Sequence, residues 1–263
     1  ARTVPIRLRG LRSGRRQPID PHEGLILSHD LESPYVEGVP DWDALYRARG
    51  DEVSTTRPIF TGDVFTGVQL PGSTGRTKAR SVVVLQHPCS MRTNGVDLAW
   101  QVLVAEVTNR KEIDEPGWVG GNYNLMPLPD IRPDVVSQSQ HQAANFDNLY
   151  TVAPDLLASR VASLSPFGVN LLLQRWVHYS SRVVVPTHTF HEQTAAFYEE
   201  ADLIEEWCDE AIGADLRAAT QACMDWLRAD RDGSTHQELL KNPQSHSMIR
   251  RAMRQELRER NRV

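Results

Sequence analysis

The chain has 263 residues, 40% of them apolar and 24% charged, with a formal net charge of −5, which is an ordinary soluble composition. No apolar run reaches the length of a transmembrane helix, which excludes a helical membrane span. Three cysteines, Cys89, Cys208 and Cys223, are too few and odd in number for a disulfide framework, and with no apolar leader they point to a reducing cytoplasm.

The charge is unevenly placed. Residues 1–16 carry six arginines and no acid, and residues 250–263 carry six arginines against Glu256 and Glu259. A basic arm at each end of an acidic middle can grip phosphates; a solvated tail and a solvated helix face fit the same pattern.

Residues 1–55 are rich in Arg, Pro, Gly and Asp and read as an N-terminal arm with a short helix near Asp41–Arg49. From Pro58 to Thr108 the pattern changes to strands. "PIFTGDVFTGVQL" alternates, and "SVVVLQ" and "AWQVLVAEVT" are β-branched runs of buried-strand length. Short strands at this spacing suggest a small barrel. Residues 109–147 read as a polar, Pro/Gly-rich insertion with one strand near "NYNLMPL". "NLYTVAPDLLASRVASL" reads as a strand and then a helix opening at Pro154. A second helix follows, with Ser165 as its cap and Pro166 in its first turn. Residues 187–230 keep helical spacing with a break at Gly213, and a turn at Gly233 leads to a basic helix or helix pair, with Ile249, Met253 and Leu257 four apart. The expected organisation is an arm (1–55), a barrel with its insertion (56–186) and a helical extension (187–263).

Arg80 opens an apolar run after the polar loop "PGSTGRTKA". A guanidinium there can bind phosphate bidentately and stays charged, and Ser73, Arg76 and Lys78 add phosphate-compatible donors; an ordinary edge arginine beside a solvated loop fits too. Glu106 lies two residues before Thr108 and shares its strand face. It reads either as a base or, in the preferred reading, as a solvent-facing carboxylate. Trp118 and Tyr123 in the insertion form the aromatic pair suited to base stacking. His87 and Cys89 lack the paired clusters of a zinc site, and the sequence names no base for the thiol, so both read as parts of a turn.

From Gly62 onward the chain resembles the MazF/PemK toxin superfamily, which includes Kid-like and CcdB-like proteins. The resemblance rests on Gly62-Asp63-Val64, the Gly72–Ala79 loop, "RSVVVL" from Arg80, "AEVT" ending at Thr108, and the tail "NLYTVAPDLLASRVASLSPFGVNLLL". It covers about 62–108 and 146–180, under a third of the chain. It implies an α+β fold: a small SH3-like β-barrel, here with a long insertion and an α-helical C-terminal extension.

It further implies a metal-independent and cofactor-free endoribonuclease in a bacterial toxin–antitoxin or phage-defence setting. Arg80 and Thr108 would be its catalytic pair, with Ser73 as an added donor. Arg76, Lys78, Glu106, Trp118 and Tyr123 would line the RNA groove. The implied partners are RNA and an antitoxin or other protein, with a homodimer left open. Ser81 stands where the family has proline. Because the superfamily includes members that are not nucleases, a non-catalytic nucleic-acid- or protein-binding module stays open. Between Glu192 and Asp215 nine acids are uninterrupted by Lys or Arg. They read as a solvated face or as a built-in substitute for an acidic antitoxin segment.

Overall fold

The computed structural model describes residues 30–72, 75–132, 141–231 and 233–262. The arginine-rich stretch 1–16 and Ser73 lie outside the described residues.

The first described elements are a small hairpin, β1 (Tyr35–Val36) and β2 (Val39–Pro40), and a strand, β3 (Tyr46–Arg49). The helix expected near Asp41–Arg49 is instead a single 3₁₀ turn, Asp43–Leu45, running into β3. β3 pairs with a late strand of the main sheet, so residues 46–49 belong to the fold rather than to a detached arm. The pairing explains the change: it buries Tyr46 and Ala48 on the sheet, whereas an isolated helix of that length is marginal.

The strands that follow are β4 (Asp63–Pro71), β5 (Thr77–Val84), β6 (Val102–Asn109), β7 (Leu125–Pro129), β8 (His141–Val152) and β9 (Ser159–Leu164). With β3 they form one seven-stranded antiparallel sheet, curled into a half barrel, in the order β3-β9-β4-β5-β6-β8-β7. Two short helices interrupt them: α1 (Pro88–Met91) and α2 (Glu115–Gly120). The described part of the insertion therefore holds more regular structure than its composition implied. It supplies α2, β7 and the start of β8, and β8 pairs with both β6 and β7. The helix expected at Pro154 is a 3₁₀ turn followed by β9. A place between β3 and β4, with ladder bonds on both sides, overrides a pattern that also fits a helix.

Helix α3 (Pro166–Ser181) starts as its sequence dictates, with the Ser165 hydroxyl accepting from the Gly168 N–H and Pro166 in the first turn. It packs on the sheet face that carries Val64, Val83, Ala105, Val107, Phe146 and Leu164. Gly62, at φ +86°, allows this approach: a Cβ there would stand 2.9 Å from Leu164 Cβ and Val169 Cγ2. Asp63 beside it is buried, accepting from the Phe60 N–H and the Ser163 hydroxyl and pairing with Arg160. The opposite sheet face buries Phe65, Val68, Leu70, Val82, Val84, Val102 and Val104 under Met91 and Leu157.

The C-terminal part holds α4 (Thr187–Glu210), α5 (Leu216–Arg228), a hairpin of β10 (Asp230–Arg231) and β11 (Ser234–Thr235), α6 (His236–Leu239) and α7 (His246–Arg260). Gly213, at φ +77°, lies in the break between α4 and α5. Ile249, Met253 and Leu257 of α7 share a separate apolar cluster with Trp207 of α4 and Trp226 of α5, whose rings lie 5.8 Å apart. Among the described residues no helix is long and apolar enough to cross a membrane.

Candidate functional site

β5 and β6 pair with Ser81 opposite Val107 and Val82 opposite Glu106. Continuing the register by one step sets Arg80 opposite Thr108, and strand alternation puts Arg80, Glu106 and Thr108 on one sheet face. Arg80, Lys78 and Arg76 continue that face beyond the apolar cluster of Val82 and Val84, and all three are exposed. Two of the residues expected to act together, Arg80 and Glu106, are in contact: Arg80 Nε stands 3.3 Å from Glu106 Oε1.

The contact is asymmetric. The Arg80 side chain is 44% exposed and the Glu106 side chain only 8%. The reading of Glu106 as a solvent-facing carboxylate is therefore wrong. β8 explains this. Ala105 pairs with Leu149 and Glu106 with Asn145, so β8 carries three extra residues, Phe146 to Asn148, between those pairs. The bulge turns Asn148 back over β6, where its Nδ2 donates to Glu106 Oε2 at 3.2 Å. Glu106 is thus held from both sides, by a cation and an amide, and a buried carboxylate needs both. Asn148 was missed because a bulge that re-aims one side chain has no sequence signature in "NFDNLY".

The ion pair engages Nε of Arg80. With the contact made through Nε and the side chain 44% exposed, the terminal nitrogens are not needed to hold Glu106 and can serve phosphate oxygens. Thr108 differs from expectation: its Oγ1 is buried and has no hydrogen-bond partner among the described residues.

Trp118 is no base-stacking surface. It is fully buried, its ring stacked on Trp42 at 6.1 Å with the Arg175 guanidinium over it. Tyr123, half-buried, packs edge-on to His178 and donates to the Gly120 carbonyl. The insertion is turned toward the α3 side by Arg175. This buried guanidinium donates to the carbonyls of Leu125, Trp118, Gly121 and Asn122. The described part of the insertion thus packs on the face opposite Arg80.

The acidic run of α4 is also spent elsewhere. Asp202 and Glu205 pair with Arg57 and Arg47 from the segment ahead of β4, and Glu199 and Glu206 pair with Arg250 and Arg254 of α7. The basic C-terminal helix and the acidic helix neutralise each other across one packed interface. The built-in inhibitor reading of the acidic run has no support in these contacts.

No protein-family model matches this chain, and no curated protein matches it in sequence.

Proposed function

We propose that the sheet face bearing Arg80, Glu106, Lys78 and Arg76 engages the phosphodiester backbone of RNA and cleaves it without metal. The reading includes the fold, taking the curled sheet with α3 as an SH3-like barrel of the MazF/PemK type. It rests on one observation above the others: a half-exposed arginine anchored through Nε by a buried carboxylate, in the exposed half of a paired strand, with two more basic side chains on the same face.

In this reading the ribose 2′-OH attacks the neighbouring phosphorus. The 5′-oxygen leaves, giving a 2′,3′-cyclic phosphate and a 5′-OH end. Arg80 faces the charge that builds on the nonbridging oxygens, where a fixed cation acts most strongly. Glu106 holds the guanidinium in place, and Lys78 and Arg76 bind flanking phosphates. RNA and a protein that shields this face are the partners the reading calls for.

A second reading, a nucleic-acid- or protein-binding module without catalysis, is favoured by Thr108, whose covered hydroxyl cannot reach a phosphate as it stands. The deciding experiment incubates RNA with wild type and Arg80→Ala in EDTA and maps the product ends. Cleavage leaving cyclic phosphate, lost in the variant, supports the nuclease. RNA binding without cleavage by either protein supports the module. Neither cleavage nor RNA binding overturns both nucleic-acid readings.

A further inference from the structure

His87 and Cys89 meet in a way the sequence did not disclose. His87 is the extended residue ahead of α1, at φ −68° and ψ 141°, and Pro88 fixes the first residue of the turn. The imidazole folds back as the cap, and its Nδ1 accepts from the Cys89 backbone N–H at 3.3 Å. That same nitrogen stands 2.9 Å from Cys89 Sγ. A backbone N–H only donates, so Nδ1 is the unprotonated nitrogen and the thiol is the second donor to it. A nucleophile and its proton acceptor are therefore already in contact.

Cys89 opens into a cleft of about 330 Å³ between the β5–β6 connection and the helical extension. Cys89 is exposed there, and Arg92, Asn94, Phe197, Glu200 and Arg228 line it. The Phe197 ring packs edge-on against His87, with centroids 4.9 Å apart. Burial lowers the His87 pKa, which keeps the imidazole neutral as a hydrogen-bond acceptor at about pH 7 while making it a weaker base than a free imidazole. Arg92 and Arg228 line this cleft beside one carboxylate, Glu200, to which the Gln237 amide already donates at 2.7 Å. Arg228 is steadied by a bond to the Asn94 carbonyl at 2.7 Å and Arg92 by one to the Ile59 carbonyl at 2.6 Å. The cleft is small and its charge balance is positive.

We infer that Cys89, with His87 as its proton acceptor, is a nucleophilic thiol that exchanges with a small anionic disulfide to form a mixed disulfide. The thiol proton passes to His87 Nδ1. Cys89 Sγ attacks one sulfur of the incoming disulfide, a new S–S bond forms as the old one breaks, and the departing thiolate takes the proton from His87. One disulfide replaces another, so no outside oxidant or reductant enters. The guanidinium groups favour the anionic reagent and its thiolate leaving group. The other cysteines serve as internal controls: burial raises the pKa of both Cys208 and Cys223 and keeps them as thiols.

The test exposes the reduced full-length protein to oxidised glutathione, an anionic disulfide, or to cystamine, a cationic one, at neutral pH and matched ionic strength. Intact mass and peptide mapping follow the adduct. One glutathionyl group is expected at Cys89, forming about tenfold faster than on N-acetylcysteine, with cystamine slower than glutathione. His87→Asn keeps a capping acceptor but removes the base. With unfolding temperature unchanged, it is expected to slow the reaction by about tenfold. A Cys89 rate no higher than that of N-acetylcysteine would overturn the proposal. So would a preference for cystamine, or a folded His87→Asn variant that reacts at the wild-type rate. The first two comparisons use the wild type alone and hold even if the variant fails to fold.

Discussion

Arg175 shows how much one side chain can organise. Its guanidinium is fully buried and satisfied by four backbone carbonyls of residues 118–125, and burial brings its pKa down to about 10. It remains charged at neutral pH, with its hydrogen bonds offsetting part of its desolvation. Arg175→Met leaves those carbonyls buried and unpaired, and a loss of about 3–5 kcal/mol in a urea titration is expected. Arg175→Lys should recover only part of it, because an ammonium cannot span the four acceptors. Two histidines also bear on stability. Burial lowers the pKa of His87, and burial with help from Arg231 lowers that of His236. As pH falls, the unfolded chain takes up these protons before the folded one does. The stability they lend is present above their unfolded pKa and lost below it. The fall in unfolding temperature between about pH 7.5 and 5.5 should therefore shrink in a His87→Asn/His236→Asn double variant. Arg80 was expected at the mouth of a strand, but β5 begins at Thr77 and pairs with β4 from there, so Arg80 lies within the strand. The roles of Arg175 and Asn148 were not legible, because their partners lie tens of residues away.

Among the elements, α3 and α7 were the most legible. Ser165 and Pro166 are a start signal written in adjacent residues, and the four-residue spacing of Ile249, Met253 and Leu257 becomes a buried stripe. β9 was illegible, because the bonds that decide it run to β3 and β4 on either side. The pairing of α4 with α7 is the second surprise. Their charges looked like two separate interaction surfaces, and they face each other instead. Arg250 contacts Glu199 at 2.7 Å and Glu206 at 3.1 Å, partly shielded from water. Arg250→Ala should cost about 1 kcal/mol, and a double-mutant cycle with Glu206→Ala should return a coupling of about 0.5–1 kcal/mol that falls as salt is added.

For the whole molecule, the extension is not a detachable appendage. Tyr198 and Ala201 of α4 belong to the same core as Val64, Leu164 and α3, and the Tyr198 hydroxyl donates to the Leu164 carbonyl. Arg57, buried beneath them, draws its counterions Asp202 and Glu205 from α4. A chain ending at Arg182 would strip that core face and leave a buried cation unpaired. We expect it to lose cooperative thermal unfolding and to aggregate, whereas wild type unfolds reversibly or in one transition by calorimetry. Cooperative unfolding of the truncated chain at the wild-type temperature would show that the sheet and α3 stand alone. A gain of RNA cleavage on deleting the extension is accordingly a poor test of inhibition, and substitutions on the Arg80 face are the better one.

The sequence by itself determined the α+β class, most strand positions between 58 and 108, and the starts and stops of the long helices. Those features are local: alternation, caps and glycine breaks. Tertiary structure alone decided that β3 and β9 are strands, that Trp118 is core, and that the acidic and basic helices answer each other. It also decided that Glu106 is buried beside Arg80 and that His87 lies against Cys89. Each of these depends on a partner that the fold, rather than the neighbouring sequence, brings within hydrogen-bonding or packing distance.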